Sequence, residues 1–392
     1  MLFVNLNARI CGHQVALADA LYSILGEKFV FIEFGNKGEE YGSFSDAAKG
    51  KDYYKGRPFI LKMYESKENE KLAKELISSA DVMRTGGEPF ELTRQRIKDG
   101  KLTFRSSERY LKGPLYKDVF RTRALYPYLK YAHPNYRILC QSAYMANDLR
   151  LLGKLYYERC YKFAYFTQIP ELNIEDIINH RCKDKIQIVW CSRFIDWKHP
   201  EMPLKLAELM IKSGRTNFEI QMIGANSTSL WNIIKSEVER LQLQKYVVLT
   251  GGIPNLEVLE RMRKSHIFIF TSDRGEGWGA VLNEAMGAGC ACVASNEIGS
   301  VPFLLKHKEN GMIFKSRSVN SLFENIVQLY DNPELCQEYG RKAYQTITTK
   351  WSAYQAAERL VRLSESILDG NEISFPDGPC SKAYPCKPNS II

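Results

Sequence analysis

The stretch TSDRGEGWGAVLNEAMGAGC, residues 271–290, decides the fold of this chain. It follows the apolar run Ile267–Phe270 (IFIF), which predicts a buried strand, and the residues 280–287 predict a helix. The alternating glycines of GEGWG, Gly275, Gly277 and Gly279, therefore lie where a parallel strand passes into a helix. Open α/β sheets bind their ligands at this kind of junction.

Two glutamates, one within this turn and one in the helix after it, suggest the kind of ligand. Glycine lets the backbone approach an anion closely, and the first N–H groups of a helix carry the positive end of its dipole. A carboxylate beside a phosphate would repel it, so Glu276 and Glu284 are better suited to accept hydrogen bonds from hydroxyls. Phosphate and hydroxyls together indicate a nucleotide sugar. The structural alternative is a capping carboxylate at the helix start and a solvated glutamate on its face.

Length and alternation set the domain organisation. At 392 residues the chain exceeds the usual single core, and strands alternate with helices in both halves. We predict an α/β fold with two doubly wound, Rossmann-like domains of parallel strands, over residues 1–166 and 167–350. An amphipathic helix over residues 351–368 follows the second sheet and could pack back on the N-terminal domain. Residues 369–392, which contain prolines and glycines, are predicted to be a loose tail.

Composition excludes several classes of protein. No run of eighteen or more apolar residues occurs, and the amino terminus lacks the apolar core of a secretory signal, so we expect a cytoplasmic protein. The ten cysteines include no CxxC pair, which argues against structural zinc and against an obligatory disulfide framework.

The net charge of +9 is unevenly spread. Between Lys101 and Arg137, many Lys and Arg residues are interleaved with aromatic ones, against only Glu108 and Asp118. This mixture favours contact with an anionic membrane surface or a phosphorylated acceptor, since a basic side chain gains about 1 kcal/mol near anionic lipid. A solvated basic face with core aromatics is the structural alternative. Nucleic acid would suit the same charges but would leave the glycine turn unexplained, so we do not expect it as a partner.

The second half resembles the donor domain of the retaining family 4 glycosyltransferases (glycosyl transferases group 1). These are enzymes of the GT-B fold, in which two Rossmann-like domains face each other across a cleft. The sequence E-G-W-G-A-V-L-N-E matches the family's two glutamates separated by seven residues, and Arg193 and Lys198 in CSRFIDWKHP match its arginine and lysine after the first strand of that domain. The resemblance covers residues 186–314, whereas the first half shares only its alternation and Gly12 in the opening turn.

The resemblance implies a role for each of these residues. Arg193 and Lys198 would stabilise the departing pyrophosphate, Glu276 would accept hydrogen bonds from donor-sugar hydroxyls, and Glu284 would bind the ribose. Fixed cations at the leaving group stabilise the transition state more than the ground state. Surface ion pairs are the alternative for both cations. The remaining donor contacts implied by the family pattern are Gly12, Gly224, Ile253, Gly277, Trp278, Gly279, Ala280 and Val281, with the backbone amides of residues 278–281 on the sugar and distal phosphate.

Some of these assignments have equally economical structural interpretations. Ile253 lies in a Gly-Gly-Ile-Pro turn that is placed against the nucleobase in the family but is otherwise an ordinary strand-to-helix loop, and Gly224 could simply end a strand. The chain contains no Asp-x-Asp triplet, by which the other large glycosyltransferase architecture holds a divalent ion, so we expect neither a metal nor another cofactor. One departure from the family is His199, where glycine usually follows the lysine.

The acceptor side is less defined. Glu108 is a candidate for handling the proton of the acceptor hydroxyl, although an ion pair with Arg105 or Arg109 is the stronger interpretation, and His13 and His133 are held in reserve. We therefore predict a retaining glycosyltransferase that moves a sugar from a nucleotide sugar to a lipid-linked or oligosaccharide acceptor in cell-surface polysaccharide or glycoconjugate biosynthesis. The alternative is a non-catalytic subunit that binds a sugar nucleotide or glycan within an assembly complex.

Overall fold

Two parallel sheets organise the chain in a computed structural model that describes residues 1–35, 53–87, 89–113, 133–151 and 158–392. The first unit comprises Met1–Gln168 and Trp351–Cys386, and the second comprises Ile169–Lys350 and Lys387–Ile392. Both units are α/β, as the alternation of strands and helices predicts.

The first unit contains seven described strands in the order β3-β2-β1-β4-β5-β6-β7, all parallel. The strands are β1 Phe3–Asn7, β2 Phe29–Glu33, β3 Ile60–Lys62, β4 Val82–Thr85, β5 Leu102–Ser107, β6 Tyr136–Cys140 and β7 Cys160–Lys162. The helices described between them are α1 Val15–Leu25, α2 Lys67–Ser79, α3 Phe90–Lys98 and α4 Met145–Leu151, with a 3₁₀ turn at Gly26–Lys28.

The central strands of this unit are buried on both faces, including their polar residues. Every residue of β1 is buried, as expected for a parallel strand with both faces covered. One face is covered by α2, whose Ala73 and Ile77 pack with Leu6 and Met83. The helix begins at Ser66, whose side chain accepts a hydrogen bond from the Asn69 N–H at 3.0 Å.

The second unit contains six described parallel strands in the order β10-β9-β8-β11-β12-β13. They are β8 Ile186–Cys191, β9 Phe218–Ile223, β10 Val247–Gly251, β11 Ile267–Phe270, β12 Ala291–Ser295 and β13 Met312–Phe314. The helices are α5 Ile174–Asn179, α6 Met202–Lys212, α7 Ser229–Arg240, α8 Asn255–Lys264, α9 Val281–Gly287, α10 Val301–Leu304, α11 Val319–Tyr330 and α12 Pro333–Thr348, with 3₁₀ turns at Asp196–Lys198 and Pro388–Ser390. The strand order reverses between β8 and β11, which is where a doubly wound sheet binds its ligand.

The last long helix, α13 (Ala353–Leu368), belongs to the first unit and packs against α1. It begins at Ser352, whose side chain accepts from the Gln355 N–H at 3.1 Å. Its buried residues include Leu360 and Leu363, spaced for one face of a helix.

The prediction of a loose tail over residues 369–392 is wrong. Beside β7, the Cys380 N–H donates to the Lys162 carbonyl at 2.8 Å, and the Lys162 N–H donates to the Ser381 carbonyl at 2.7 Å. The side chain of Cys380 is buried, and its burial raises the pKa of the thiol. The final residues pack in the second unit instead, where Asn296 donates to the Pro388 carbonyl at 3.1 Å. Residues 369–392 are therefore an ordered segment, which we call the strap, and its prolines and glycines lie in turns.

Within the described residues, no helix combines the length and the apolar character needed to cross a lipid bilayer.

Candidate active site

The candidate site lies at the carboxyl ends of β8 and β11, the two neighbouring strands between which the order of the second sheet reverses. The turn after β8 carries Arg193 and Lys198, and the turn after β11 carries Glu276. Parallel strands that are neighbours end at the same edge of the sheet, so residues separated by almost eighty positions meet there.

Hydrogen bonds fix the two turns to each other. Thr271, directly after β11, donates from its hydroxyl to the Lys198 carbonyl at 2.6 Å and accepts from the Trp190 indole N–H at 2.8 Å. The Asp273 N–H donates to the Trp197 carbonyl at 3.0 Å. Because Trp190 and Thr271 are both buried, this connection is part of the core. The backbone carbonyl of Lys198 is therefore anchored to the core.

Lys198 and Glu276 form an ion pair at this edge. Their side chains are only 9% and 11% exposed, and Ser272 also donates to Glu276 Oε2 at 3.1 Å. Burial lowers the pKa of Lys198, since desolvation outweighs the opposing effect of the Glu276 charge. The structure thus brings together the cation and the carboxylate that the sequence placed in one pocket.

Arg193 joins this group through an aromatic side chain. Its guanidinium carbon lies 5.7 Å from the centroid of the Trp197 ring, and Lys198 Nζ lies 4.3 Å from the same centroid. The positive charge of Arg193 also contributes to the lowered pKa of Lys198. Arg193 itself is exposed, whereas Lys198 is buried, so the two cations differ in their contact with solvent.

The glycine turn has steric requirements of its own. Gly279 has a φ of +85°, and a Cβ there would lie 2.5 Å from the Phe270 ring. At Gly275 a Cβ would lie 3.0 Å from the Trp197 side chain. Glycine is therefore needed at position 279 for packing against the Phe270 ring, whereas a side chain at position 275 would require the Trp197 side chain to shift slightly.

The residues at the start of α9 differ in what they can offer a ligand. The Trp278 side chain is fully buried and donates from its indole N–H to Asn283 Oδ1 at 2.9 Å, so only its backbone is available. Gly277 is buried in the turn, whereas Ala280 and Val281 are partly exposed.

Glu284 lies on α9 near the end of β8. Its Oε1 accepts from the Asn255 side chain at 3.4 Å, and its charge contributes to the raised pKa of Cys191. Asn255 begins α8 directly after the Gly-Gly-Ile-Pro turn, so Glu284 and the half-buried Ile253 lie beside the same strand ends.

Gly224 follows β9, and the structure shows why glycine is required at this position. A Cβ there would lie 1.9 Å from the Ser192 carbonyl oxygen, which no side chain can accommodate. Its N–H donates to the Gly251 carbonyl at 3.1 Å. The residue thus permits close contact between the ends of neighbouring strands at the candidate site.

A charged cluster around His199 was not found from the sequence. His199 Nδ1 lies 3.1 Å from Glu201 Oε1, and its Nε2 lies 3.1 Å from Asp273 Oδ2. Asp273 also accepts from Arg317. These bonds raise the pKa of His199 to about 9, with the hydrogen bond to Asp273 as the largest cause. The opposing effect on Asp273 lowers its pKa to about 2, where hydrogen bonds from His199 and Arg317 outweigh burial.

The residues proposed for the acceptor side fall in the first unit and are only partly brought together. Gly12 lies in the turn between β1 and α1, where a Cβ would be 3.1 Å from Tyr53 Oη. Glu108 pairs with Lys112 and accepts from Tyr165 Oη at 2.9 Å, so the expected ion pair with Arg105 or Arg109 is replaced by a different one. The reason is that Arg109 contacts the buried Asp148 at 3.2 Å.

His13 and His133, the other two candidates, lie at opposite ends of the strands of the first sheet. The His13 ring stacks with the Tyr165 ring at a centroid distance of 5.6 Å, at the edge where β1 ends. His133 instead precedes β6 and contacts Asn135 near the start of the strand, at the opposite edge. The basic aromatic stretch is described only in part, because residues 114–132 lie outside the described residues.

The described residues contain no group of three or more His, Cys, Asp or Glu side chains placed to hold a metal ion.

Fold and site together define a two-unit α/β protein with a buried lysine–glutamate pair at the switch point of its second sheet. Residues 174–346 match the family model described as "Glycosyl transferases group 1". This match covers the strands and turns that supply Arg193, Lys198, Glu276 and Glu284.

Two curated relatives and one solved structure agree with this match. An uncharacterized glycosyltransferase of Methanocaldococcus jannaschii is 22% identical over 53% of this chain and 52% of its own length. The poly(ribitol-phosphate) alpha-N-acetylglucosaminyltransferase of Staphylococcus aureus is 24% identical over 56% of this chain and 42% of its own length. The chain thus matches about half the length of these relatives. The crystal structure of Anabaena HepE in complex with UDP superposes with a TM-score of 0.66 at 13% identity, over 93% of this chain and 100% of that one, which shows a common GT-B fold.

Proposed function

We propose that this protein is a retaining glycosyltransferase of the family 4 type. It would move a sugar, without a metal ion, from a nucleotide sugar to a lipid-linked or oligosaccharide acceptor in cell-surface polysaccharide or glycoconjugate biosynthesis. The observation that carries the proposal is the convergence of Lys198, Arg193 and Glu276 at the switch point of the domain that matches the glycosyl transferases group 1 model.

The chemistry needs stabilisation of a leaving diphosphate. Breaking the bond between the anomeric carbon and the phosphate oxygen leaves negative charge on that oxygen, and the ammonium and guanidinium groups of Lys198 and Arg193 are cations suited to it. In a front-face substitution the acceptor oxygen bonds to the anomeric carbon on the side from which the diphosphate departs. The acceptor's proton then passes to the departing phosphate oxygen, so a protein base is not required.

The carboxylates have a complementary task. Glu276 accepts from Lys198 and Ser272, which leaves lone pairs for donor-sugar hydroxyls, and Glu284 stands near the ends of β8 and β10, where ribose hydroxyls would be bound. Backbone N–H groups of residues 277–281 would contact the distal phosphate and sugar. The name of the S. aureus relative supports an acceptor rich in hydroxyls and phosphate, and the UDP complex of HepE makes UDP the first nucleotide to test.

We further propose that the protein acts at the cytoplasmic face of the membrane. Apart from the buried Arg105 and Arg109, the basic residues of the stretch between Lys101 and Arg137 would make a peripheral contact with anionic lipid.

The test uses the purified full chain with a panel of nucleotide sugars. A productive donor should stabilise the protein against heat, by about 2.7 kcal/mol at a hundred times its dissociation constant. It should also be hydrolysed slowly, and NMR of the transfer product should show the anomeric configuration of the donor. Lys198→Ala should lower turnover by roughly 10²- to 10³-fold with the fold intact. Lys212→Ala, an exposed lysine at the end of α6, is the matched control and should leave turnover unchanged.

Other outcomes are informative. Donor binding without hydrolysis or transfer would favour the non-catalytic subunit. Unchanged turnover in Lys198→Ala would remove this lysine from the mechanism, and an inverted product would exclude retention.

A further inference from the structure

The His199 side chain has an arrangement that requires a positive charge. Both ring nitrogens lie 3.1 Å from carboxylate oxygens, Nδ1 from Glu201 and Nε2 from Asp273. An ionised carboxylate only accepts hydrogen bonds, so both nitrogens must donate, and only the imidazolium has two N–H groups. The structure therefore indicates a protonated His199 from geometry alone.

Asp273 connects this imidazolium to the turn that carries Glu276. Its Oδ1 accepts from the Gly275 N–H at 2.8 Å, and its carbonyl accepts from the Glu276 N–H at 3.0 Å. The other carboxylate oxygen, Oδ2, accepts from His199 and from Arg317. One aspartate thus fixes the Glu276 turn on one side and the residue after Lys198 on the other.

The backbone of His199 supports the same interpretation. Its φ of 50° and ψ of 57° are in the left-handed region, which glycine adopts without strain and a β-carbon disfavours. A histidine in this conformation implies that its side-chain contacts offset the strain. The 3₁₀ turn that ends at Lys198 stops at this residue.

We propose that His199 is a positioning residue, whose imidazolium bridges Glu201 and Asp273 and thereby holds Lys198 against Glu276. The role rests on the proposed function, because Lys198 is taken to act on the leaving diphosphate. Loss of the proton would leave one ring lone pair facing a carboxylate. The turn would then be released, and Lys198 would lose its fixed position beside the leaving group.

The proton on His199 should be lost above neutral pH. The groups that face it are Asp273 and Glu201, and behind them Arg317, Glu297 and Lys205. The two carboxylates raise the pKa of His199 to about 9, against 6.5 for an unperturbed histidine. A raised folded pKa means that the stabilisation is complete below pH 6.5 and is lost as the pH rises through about 9.

The first measurement is an NMR titration of the six histidines in the full chain, with His199→Gln used to assign the signal. We expect His199 to titrate near pH 9, whereas His266, whose pKa burial lowers to about 4, stays neutral throughout. Asp273→Asn should move the His199 midpoint down. A His199 midpoint near 6.5 would overturn the bridge.

The second measurement compares turnover and UDP affinity of wild type, His199→Gln and His199→Gly between pH 7 and pH 10. Glycine accepts the left-handed backbone, so this variant removes the bridge without adding backbone strain. At pH 7 both variants should have kcat lowered by about 10-fold or more, since a displacement of 1 Å in a reacting group can cost 10²-fold. Wild-type kcat should fall towards the variant level with a midpoint near 9, and the variants should lack this step.

A control separates this step from titration of Lys198 itself. If Lys198 deprotonation caused the fall, His199→Gln would show the same step, and the positioning role would be refuted. His180→Gln, at an exposed histidine after α5, should behave as wild type. Failure of wild type to transfer sugar from any donor of the panel at any pH would refute the proposed function and the positioning role with it. A His199 midpoint near 9 would then report only a structural ion bridge.

Discussion

The Lys198–Glu276 pair makes a prediction about stability that needs no substrate. Lys198→Met keeps the length and apolar stem of the side chain but leaves Glu276 with Ser272 as its remaining hydrogen-bond donor among the described contacts. Removing one partner of a buried pair costs about 3–5 kcal/mol. Because about a tenth of each side chain stays exposed and the serine bond remains, we expect the lower end, about 3 kcal/mol. For a unit of 150–250 residues, this corresponds to a fall in Tm of about 6–12 °C.

The double variant Lys198→Met/Glu276→Gln removes both charges, so its cost should be much smaller than the sum of the two single costs. We expect a coupling free energy of about 2 kcal/mol, measured by urea unfolding of the four proteins at pH 7. Additive single costs, within about 0.5 kcal/mol, would refute the coupling.

Two further predictions concern the fold around the site and the end of the chain. Gly279→Ala should lower the free energy of unfolding by about 2–4 kcal/mol, because it adds backbone strain at φ +85° and a contact with the buried Phe270 ring. Gly214→Ala is the control, since Gly214 has a φ of +81° with open space around it. This variant should lose only the strain energy of about 1–2 kcal/mol. Equal costs in urea unfolding would show that the ring contact contributes nothing. Ending the chain after Leu368 should lower the Tm and speed proteolysis of the first unit, because β7 loses its hydrogen bonds to residues 380–383. An unchanged Tm and digestion pattern would mean that residues 369–392 are not needed for the stability of this unit.

The layout of both sheets could be predicted from local patterns. The predicted strand Ile267–Phe270 coincides with the observed β11, because this buried parallel strand is a continuous apolar run that ends at a polar, glycine-rich turn. The ordered strap was missed because its contacts are distant in sequence. Tyr161 Oη donates to Glu372 at 2.5 Å across 211 positions, and nothing local to residues 369–386 indicates a partner.

The site was predictable to the extent that topology brings strand ends together. Lys198 and Glu276 each follow a strand, and neighbouring parallel strands place such residues at one edge. Asp273 was missed because its partner Arg317 follows β13 and its other partner, His199, stood only as a departure from a family pattern. An aspartate directly after a strand and a histidine in place of glycine were the available signals. The burial of Trp278 could not be seen, since it depends on Phe303 and Asn283 closing around the ring.

On the proposed function, the environment of Lys198 links its charge to the ligand. Burial lowers the pKa of this lysine, so the folded protein holds the ammonium at an electrostatic cost that Glu276 only partly offsets. A bound diphosphate adds negative charge beside it and must raise that pKa again. By linkage the same diphosphate binds more tightly to the ammonium form, so affinity should decline as the pH rises through the pKa of Lys198 in the free protein. The cost of burying the lysine is thus recovered when charge appears on the phosphate. This is the condition for stabilising a departing diphosphate more strongly than an intact donor.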